Sequence, residues 1–246
     1  MPELQIAAII PARYASLRFP GKPLVMIAGT TMIERVYEQA RKCSMLSRVI
    51  VATDDERIAA VVAGFGGEVA MTRNDHASGT DRLAEVAERM PELDVIVNIQ
   101  GDEPLIDPMA VDSAIAPLLE PGVEMATAAW SIEAAEEVAS SQVVKVVIDK
   151  MNNALYFSRR AIPYHRDGDD LSNGTYLGHL GLYVYTRQCL LRISKLAPTP
   201  LELAERLEQL RALENGIKIR VVKFKSRALA VDIPEDVEKI ELALKV

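Results

Sequence analysis

Short apolar runs and amphipathic helical patterns alternate through the first half of the chain. That alternation limits the fold to a mostly parallel sheet covered by helices. Ile6–Ile10, Val49–Ala52 and Val95–Ile99 read as buried strands. Between the first two, Met32, Ile33, Val36, Tyr37, Ala40 and Cys43 mark one face of a helix. A second helix runs through Ile58, Val61 and Val62, with Thr53 or Asp54 as its cap and Gly66-Gly67 at its end. Val69–Met71 is a short strand, and Leu83, Val86, Ala87 and Met90 give another helix, stopped by Pro91. Asp107-Pro108 has N-cap and N1 character before Val111, Ile115 and Leu118. The core is aliphatic: residues are 49% hydrophobic, yet only four are Phe and one is Trp. Such a core suits strands buried on both faces. The fold class expected is therefore α/β, a doubly wound, mostly parallel sheet.

The second half is less regular. Val143–Ile148 and Leu155–Phe157 read as strands around a turn at Lys150–Asn153, and Leu180–Tyr185 as another. Residues 165–176 form a polar loop, expected to be mobile. One helix is expected from about Leu201 to Glu214, then a strand over Ile217–Phe224 and a closing helix over Pro234–Lys245. With no internal repeat or clear linker, a single domain over 1–246 is expected, with a smaller inserted lobe at roughly 125–190.

The loop after the first strand carries chemistry. Arg13, Arg18 and Lys22 lie within ten residues of a Pro- and Gly-punctuated segment, 11–23. Open α/β sheets bind ligands at the carboxyl ends of their strands, so fixed cations there suggest a polyanion such as a nucleoside triphosphate. The competing reading is an ordinary solvated basic loop. Neither familiar phosphate loop is present: Gly21-Lys22 precedes Pro23 where a P-loop needs Ser or Thr, and no Gly-x-Gly-x-x-Gly follows the strand. Side chains must hold the phosphates, Arg13 and Arg18 by forked contacts and Lys22 as a point charge.

Asp102, in Gln100-Gly101-Asp102-Glu103-Pro104, ends another apolar strand and so falls at the same sheet edge. A carboxylate facing a triphosphate is explained by Mg2+, which takes one or two carboxylates together with phosphate oxygens. Asp232, before Ile233-Pro234, occupies a similar strand-to-helix junction. Helix capping or a turn is the competing reading for both. Ser78, Gly79 and Thr80 open a helix and offer backbone groups to a base edge or anion, although capping alone would explain Ser or Thr there. His76 reads as a solvated loop residue.

Charge and composition exclude some classes. A net charge of -7 argues against a general nucleic-acid binder. Two cysteines, Cys43 and Cys189, make no disulfide framework. No apolar run approaches the ~20 residues that span a bilayer, and no secretory signal pattern begins the chain. A cytoplasmic protein without membrane insertion is expected.

Taken together, several segments carry a resemblance. They are Ile-Ile-Pro-Ala-Arg-Tyr-Ala-Ser-x-Arg-x-Pro-Gly-Lys-Pro (9–23), Val-Ala-Thr-Asp (51–54), Ser-Gly-Thr-Asp-Arg (78–82) and Gln-Gly-Asp-Glu-Pro (100–104). Ala-Leu-Tyr-Phe-Ser-Arg (154–159), His-Leu-Gly-Leu-Tyr (179–183), Leu-Glu-Gln-Leu-Arg (207–211) and Val-Asp-x-Pro-Glu-Asp (231–236) complete the set. In this order, across almost the whole chain, they resemble the 3-deoxy-manno-octulosonate cytidylyltransferases, or CMP-Kdo synthetases. The resemblance implies a nucleotide-diphospho-sugar transferase-like fold whose inserted lobe makes a homodimer. It implies transfer of CMP from CTP to Kdo with release of pyrophosphate, with Mg2+, for lipopolysaccharide synthesis. By similarity, Arg13, Lys22, Asp102 and Asp232 are the catalytic set, the two aspartates holding metal. Pro11, Ala12, Ser16, Arg18, Ser78, Gly79, Thr80, Arg82 and Gln100 lie on the nucleotide side. Arg159, His179, Tyr183, Glu208 and Gln209, again with Gln100, look like the sugar-acid side. On residue pattern alone, His179 and Tyr183 could equally be core and Glu208 merely solvated.

The chain departs from the family pattern at Ala230 and Ile233, where Gly and Thr are common, and at Phe19, where Leu is common. Alternatives are a synthetase acting on 8-amino-Kdo or a sialic acid, and a non-catalytic nucleotide-sugar sensor. Loss of Lys22, Asp102 or Asp232 would have favoured the sensor, and all three are present. The missing glycine fingerprint disfavours a dehydrogenase.

Overall fold

The computed structural model describes residues 4–15, 19–166, 171, 174–225 and 229–244. Ser16 and Arg18, and half of the polar segment expected to be mobile (167–170 and 172–173), lie outside the described residues. In chain order the elements are β1 (Ile6–Ala12), β2 (Met26–Ile27), β3 (Thr30–Thr31), α1 (Met32–Ala40), β4 (Arg48–Thr53), α2 (Glu56–Gly64), β5 (Glu68–Met71) and α3 (Gly79–Arg89). There follow β6 (Val95–Asn98), α4 (Pro108–Ile115), β7 (Met125–Ser131), α5 (Ala135–Ala139), β8 (Lys145–Ile148), β9 (Ala154–Ser158) and β10 (Leu177–Thr186). The remainder is α6 (Arg187–Ile193), α7 (Pro200–Glu205), α8 (Gln209–Glu214), β11 (Arg220–Phe224) and α9 (Asp236–Ala243).

The chain divides into two compact units. The first comprises Met1–Asp112, Thr186–Ser194 and Ala228–Val246. Its main-sheet strands β6-β1-β4-β5 are all parallel, and β2 and β3 form a separate antiparallel pair. The chain winds outward from β1 to β5 and then returns to place β6 on the other side of β1. That reversal makes a switch point between β1 and β6, where loops leave in opposite directions and open a crevice. Ile9 and Ile10 are fully buried, as are Val51, Ile96 and Val97. Each such side chain contributes roughly 1.5–3 kcal/mol by leaving water. Helices α1 and α3 show the apolar faces expected, with Ile33, Val36, Leu83 and Val86 buried.

The caps differ in part from expectation. Helix α2 is capped by Asp55, whose carboxylate accepts the Arg57 N–H at 2.9 Å, and not by Thr53 or Asp54. Thr53 is buried and Asp54 is engaged elsewhere. Helix α3 has a full capping box in which Ser78 and Asp81 exchange side-chain and backbone bonds.

The second unit comprises Ser113–Tyr185 and Lys195–Arg227. Strand β7 lies between β11, to which it is parallel, and β10, to which it is antiparallel. Strand β8 pairs with β10 and with β9. Strand β7, unforeseen in the sequence, has six of its seven residues buried, and three of the seven are Ala. The single helix expected from about Leu201 to Glu214 is two short helices. Arg206 adopts a left-handed conformation, φ 53°, and breaks α7 from α8. A buried ion pair bridges the break: Arg211 donates to both oxygens of Glu202, at 2.8 and 2.5 Å.

Candidate active site

The crevice of the first unit is a cleft of about 270 Å³ at the carboxyl ends of β1 and β6. Pro11, Ala12, Arg13 and Lys22 line one side of it, and Gln100, Gly101 and Asp102 another. Ser78, Gly79 and Arg82 contribute from the start of α3. The fold thus brings together residues drawn from three separated segments of sequence. Thr80, expected with them, is buried within α3 at 4% exposure and is not part of the lining. The two sides approach closely at Gly101: a Cβ there would stand 2.9 Å from the Pro11 carbonyl oxygen, so any side chain would force the strands apart.

The basic loop is shaped by its own backbone. Gly21 donates its N–H to the Tyr14 carbonyl at 2.9 Å and sits at φ +73°, a conformation glycine adopts without steric cost. Lys22–Leu24 then forms one 3-10 turn that turns the Lys22 side chain inward. The Tyr14 ring carries the Arg57 guanidinium 3.4 Å from its centroid, and Arg57 is itself held by Asp55 at 2.6 Å. Arg13 remains exposed at the cleft.

The Lys22 ammonium donates to Asp102 Oδ2 at 2.6 Å and to the Val231 carbonyl at 2.9 Å. The Val231 N–H donates to the Asp102 carbonyl at 2.9 Å, so the segment entering Asp232 is fastened to the segment bearing Asp102. Beneath them Ile27, Met32, Val231 and Ile240 form a buried cluster, and Phe19, Val25, Leu105 and Val237 pack against it. Phe19, one of the departures from the family pattern, is half-buried against this cluster. Helix α9 begins after Glu235, and Asp236 accepts the N–H groups of Asp232 and Ile233 at 3.0 and 3.2 Å. Asp236, the first residue of α9, thus fastens the Asp232–Ile233 backbone to the start of the helix. Burial, reinforced by Asp102, pushes the neighbouring Glu103 up to about 8. Glu103 is then mostly neutral at pH 7.

Arg82 is buried, ion-paired with Asp54 at 3.0 Å and bonded to the Thr72 hydroxyl at 2.5 Å. Its guanidinium is thereby fixed where it borders the cleft. Sequence reasoning quoted Asp54 within a motif but missed this role, because the partner lies on a different element. His76 also borders the cleft. Contrary to expectation its ring is buried, 5% exposed, against Glu85 at 2.5 Å.

The remaining expected residues lie in the second unit. The His179 Nε2 is 3.0 Å from the Thr127 hydroxyl, and its ring meets Phe157 edge-on at 5.0 Å and Tyr183 at 5.2 Å. Burial of the ring lowers His179 to about 3, so it is neutral at pH 7, while burial raises the Tyr183 hydroxyl. Arg159 is half-buried and donates to the carbonyls of Glu205 and Ser141, at 2.9 and 3.1 Å. Glu208 is half-buried and Gln209 buried, side by side at the start of α8.

Asp102 and Asp232 offer hard carboxylate oxygens from two segments that hydrogen bonds hold together. Among the described residues no group of three or more His, Cys, Asp or Glu could hold a metal alone. Two carboxylates with further positions left to phosphate oxygens suit Mg2+, which is seldom caged by protein alone. The donor set fits that ion.

An α/β unit with its cleft at the switch point beside a basic loop and paired acidic segments defines a nucleotidyltransferase. A family model described as cytidylyltransferase matches residues 7–219. The 3-deoxy-manno-octulosonate cytidylyltransferase of Geobacter sulfurreducens is 52% identical over 98% of this chain and 100% of its own. The protein of the same name from Myxococcus xanthus is 50% identical, over 100% and 98%. The solved structure of CMP:2-keto-3-deoxy-manno-octonic acid synthetase complexed with CTP superposes with TM-score 0.92 at 43% identity, covering 98% of each chain. A 4-diphosphocytidyl-2C-methyl-D-erythritol synthase from Anaerococcus prevotii shares the fold, with TM-score 0.66 at 14% identity over 99% and 97%. The chain belongs to the 3-deoxy-manno-octulosonate cytidylyltransferase family.

Proposed function

We propose that this chain transfers the CMP moiety of CTP to 3-deoxy-D-manno-octulosonate, releasing pyrophosphate and activating the sugar acid for lipopolysaccharide synthesis in the cytoplasm. The observation that carries this reading is the meeting of Lys22 and Asp102 in the cleft of the first unit, with Val231, the residue before Asp232, hydrogen-bonded to both; Asp232 itself does not line the cleft. The attacking sugar hydroxyl, the α-phosphate and the departing pyrophosphate all carry or develop negative charge, so catalysis rests on positioning and charge compensation. Lys22 supplies a cation at the cleft, and incoming phosphate oxygens compete with Asp102 for it. Arg13 adds a second, exposed cation with a forked donor set. Arg82, locked by Asp54, borders the nucleotide, and the opening of α3 offers backbone N–H groups beside Ser78 and Gly79. Asp102 and Asp232 would hold Mg2+, which when bound would neutralise phosphate charge and favour ionisation of the attacking hydroxyl.

Arg159, His179, Tyr183, Glu208 and Gln209 are assigned to the sugar acid. The neutral His179 and the un-ionised Tyr183 would serve as hydrogen-bonding groups for hydroxyls and not as charges. A homodimer through the second unit is part of this reading. Leu155 on β9 and Leu203 on α7 are 62% and 64% exposed, and Tyr164 is 88% exposed. Large apolar side chains left open in one unit suit a symmetric partner.

Pyrophosphate release tests the assignment. It should require CTP, Kdo and Mg2+ together and be fastest with Kdo among Kdo, 8-amino-Kdo and a sialic acid. Asp102→Asn and Asp232→Asn should each lower turnover by about a hundredfold or more while the protein stays folded. Undiminished turnover by Asp102→Asn at ordinary Mg2+ would reduce that residue to a turn position.

A further inference from the structure

Lys145 on β8 is fully buried, with 0% of its surface exposed. Its ammonium donates to three backbone carbonyls: Ser140 at 2.7 Å, Val143 at 2.6 Å and Arg159 at 2.7 Å. Three donors are all an ammonium has, so the head group is saturated. Saturation explains how a buried cation is tolerated, since an unbonded one would be very costly. It does not explain why a cation stands where Leu or Met would fill the same space. Burial lowers the lysine pKa below its ordinary range, and the nearby Glu205 carboxylate opposes that shift.

The strand register supplies a reason. Lys145 stands opposite Ser158 on β9 and Gly178 on β10. Those residues immediately precede Arg159 and His179. The turn at 140–143 is tied to Lys145 and, through the Ser141 carbonyl, to the Arg159 guanidinium. Glu205 completes the arrangement: its carboxylate accepts the Arg159 N–H at 2.9 Å and the Ser158 hydroxyl at 2.6 Å, and its carbonyl accepts Arg159 Nε at 2.9 Å. Glu205 is also the last residue of α7, next to the left-handed Arg206 that sets where Glu208 and Gln209 begin α8. Lys145 and Glu205 therefore grip the backbone around Arg159 from both sides, and neither is itself a candidate for touching substrate.

We propose that Lys145 and Glu205 are positioning residues for the sugar-acid half of the reaction, holding Arg159 and the α7–α8 break in the arrangement that receives the acid. The inference rests on the assignment of Arg159, Glu208 and Gln209 to the sugar acid. Removing the ammonium would strand three carbonyls and let the Arg159 backbone shift, and a shift of about 1 Å can cost a hundredfold in reaction rate.

The test is steady-state kinetics of the full chain with CTP and Kdo, together with thermal melting, for wild type, Lys145→Met, Lys145→Gln and Glu205→Gln. Lys145→Met should raise the KM for Kdo about tenfold or more while the KM for CTP stays within about twofold. Lys145→Gln keeps two donors and should recover part of that loss. Glu205→Gln keeps an acceptor but no charge and should shift the Kdo KM in the same direction. If Lys145→Met fails to fold, the two glutamine variants decide. The proposal is overturned if the KM for Kdo is unchanged in them, or if both KM values and kcat fall away together in step with melting temperature. Wild type that turns over a different sugar acid overturns the Kdo assignment alone, and the same KM split is then read with that acid.

Discussion

The Lys22 ammonium lies 2.6 Å from the Asp102 carboxylate, and the two residues come from loops 80 positions apart in sequence. One cation thus links the basic loop, the acidic strand end and, through the Val231 carbonyl, the segment leading to Asp232.

Lys22→Met keeps the aliphatic stem and removes the charge. It should lower kcat/KM by about 10²–10³-fold, the effect of losing one charge-stabilising donor in a transition state. Melting should change less, since the two lost bonds, to the Val231 carbonyl and to the partly exposed Asp102 carboxylate, together cost only about 1–3 kcal/mol. Steady-state kinetics beside a melting curve separates the two, and a collapsed melting temperature with full residual activity would make Lys22 structural.

The Glu202–Arg211 pair is a stability feature of the second unit, with both side chains about nine-tenths buried. Arg211→Ala leaves a buried carboxylate without its partner and should cost about 3–5 kcal/mol in urea unfolding. The double variant Glu202→Met/Arg211→Met removes both charges and should cost less than Arg211→Ala alone. A double variant as unstable as the single one would show that the bridge's geometry, and not charge burial, holds α7 to α8.

Acid stability should report His179. Its pKa in the folded protein is about 3 against an ordinary 6.5, because the ring is desolvated. Above pH 6.5 the ring is neutral in both states and contributes no pH dependence. As pH falls from 6.5 towards 3 the unfolded chain gains a proton that the folded chain refuses, so stability drops, by up to about 1.4 kcal/mol per pH unit. His179→Gln should flatten this limb of the stability–pH curve. An unchanged slope would mean that the ring already reaches water.

The first unit was legible because β1, β4 and β6 are runs of β-branched residues bounded by loops, and the sheet edge follows from their order. The residues of its cleft could be placed because Arg13 and Lys22 lie in the loop that follows β1 and Asp102 in the loop that follows β6. Strand β7 was missed because Met125–Ser131 contains no Val, Ile or Leu and its three Ala mark neither period. The break at Arg206 was hidden because an Arg, and not a Gly, takes the left-handed conformation within an otherwise continuous helical pattern. His76 read as solvated because its partner, Glu85, lies a turn and a half into the next helix. Lys145 gave no signal, since a lysine within Val-Val-Lys-Val-Val reads as an outward-facing position. Only the three converging carbonyls, two from the turn at 140–143 and one from Arg159, make it an interior one.

The most direct test of cytidylyl transfer is the chemical identity of the product. Wild-type protein incubated with CTP, Kdo and Mg2+ should yield, by mass spectrometry and phosphorus NMR, a single CMP–sugar phosphodiester and pyrophosphate in equal amounts. CMP or CDP released without a phosphodiester to the sugar, or no consumption of CTP at all, would contradict the account.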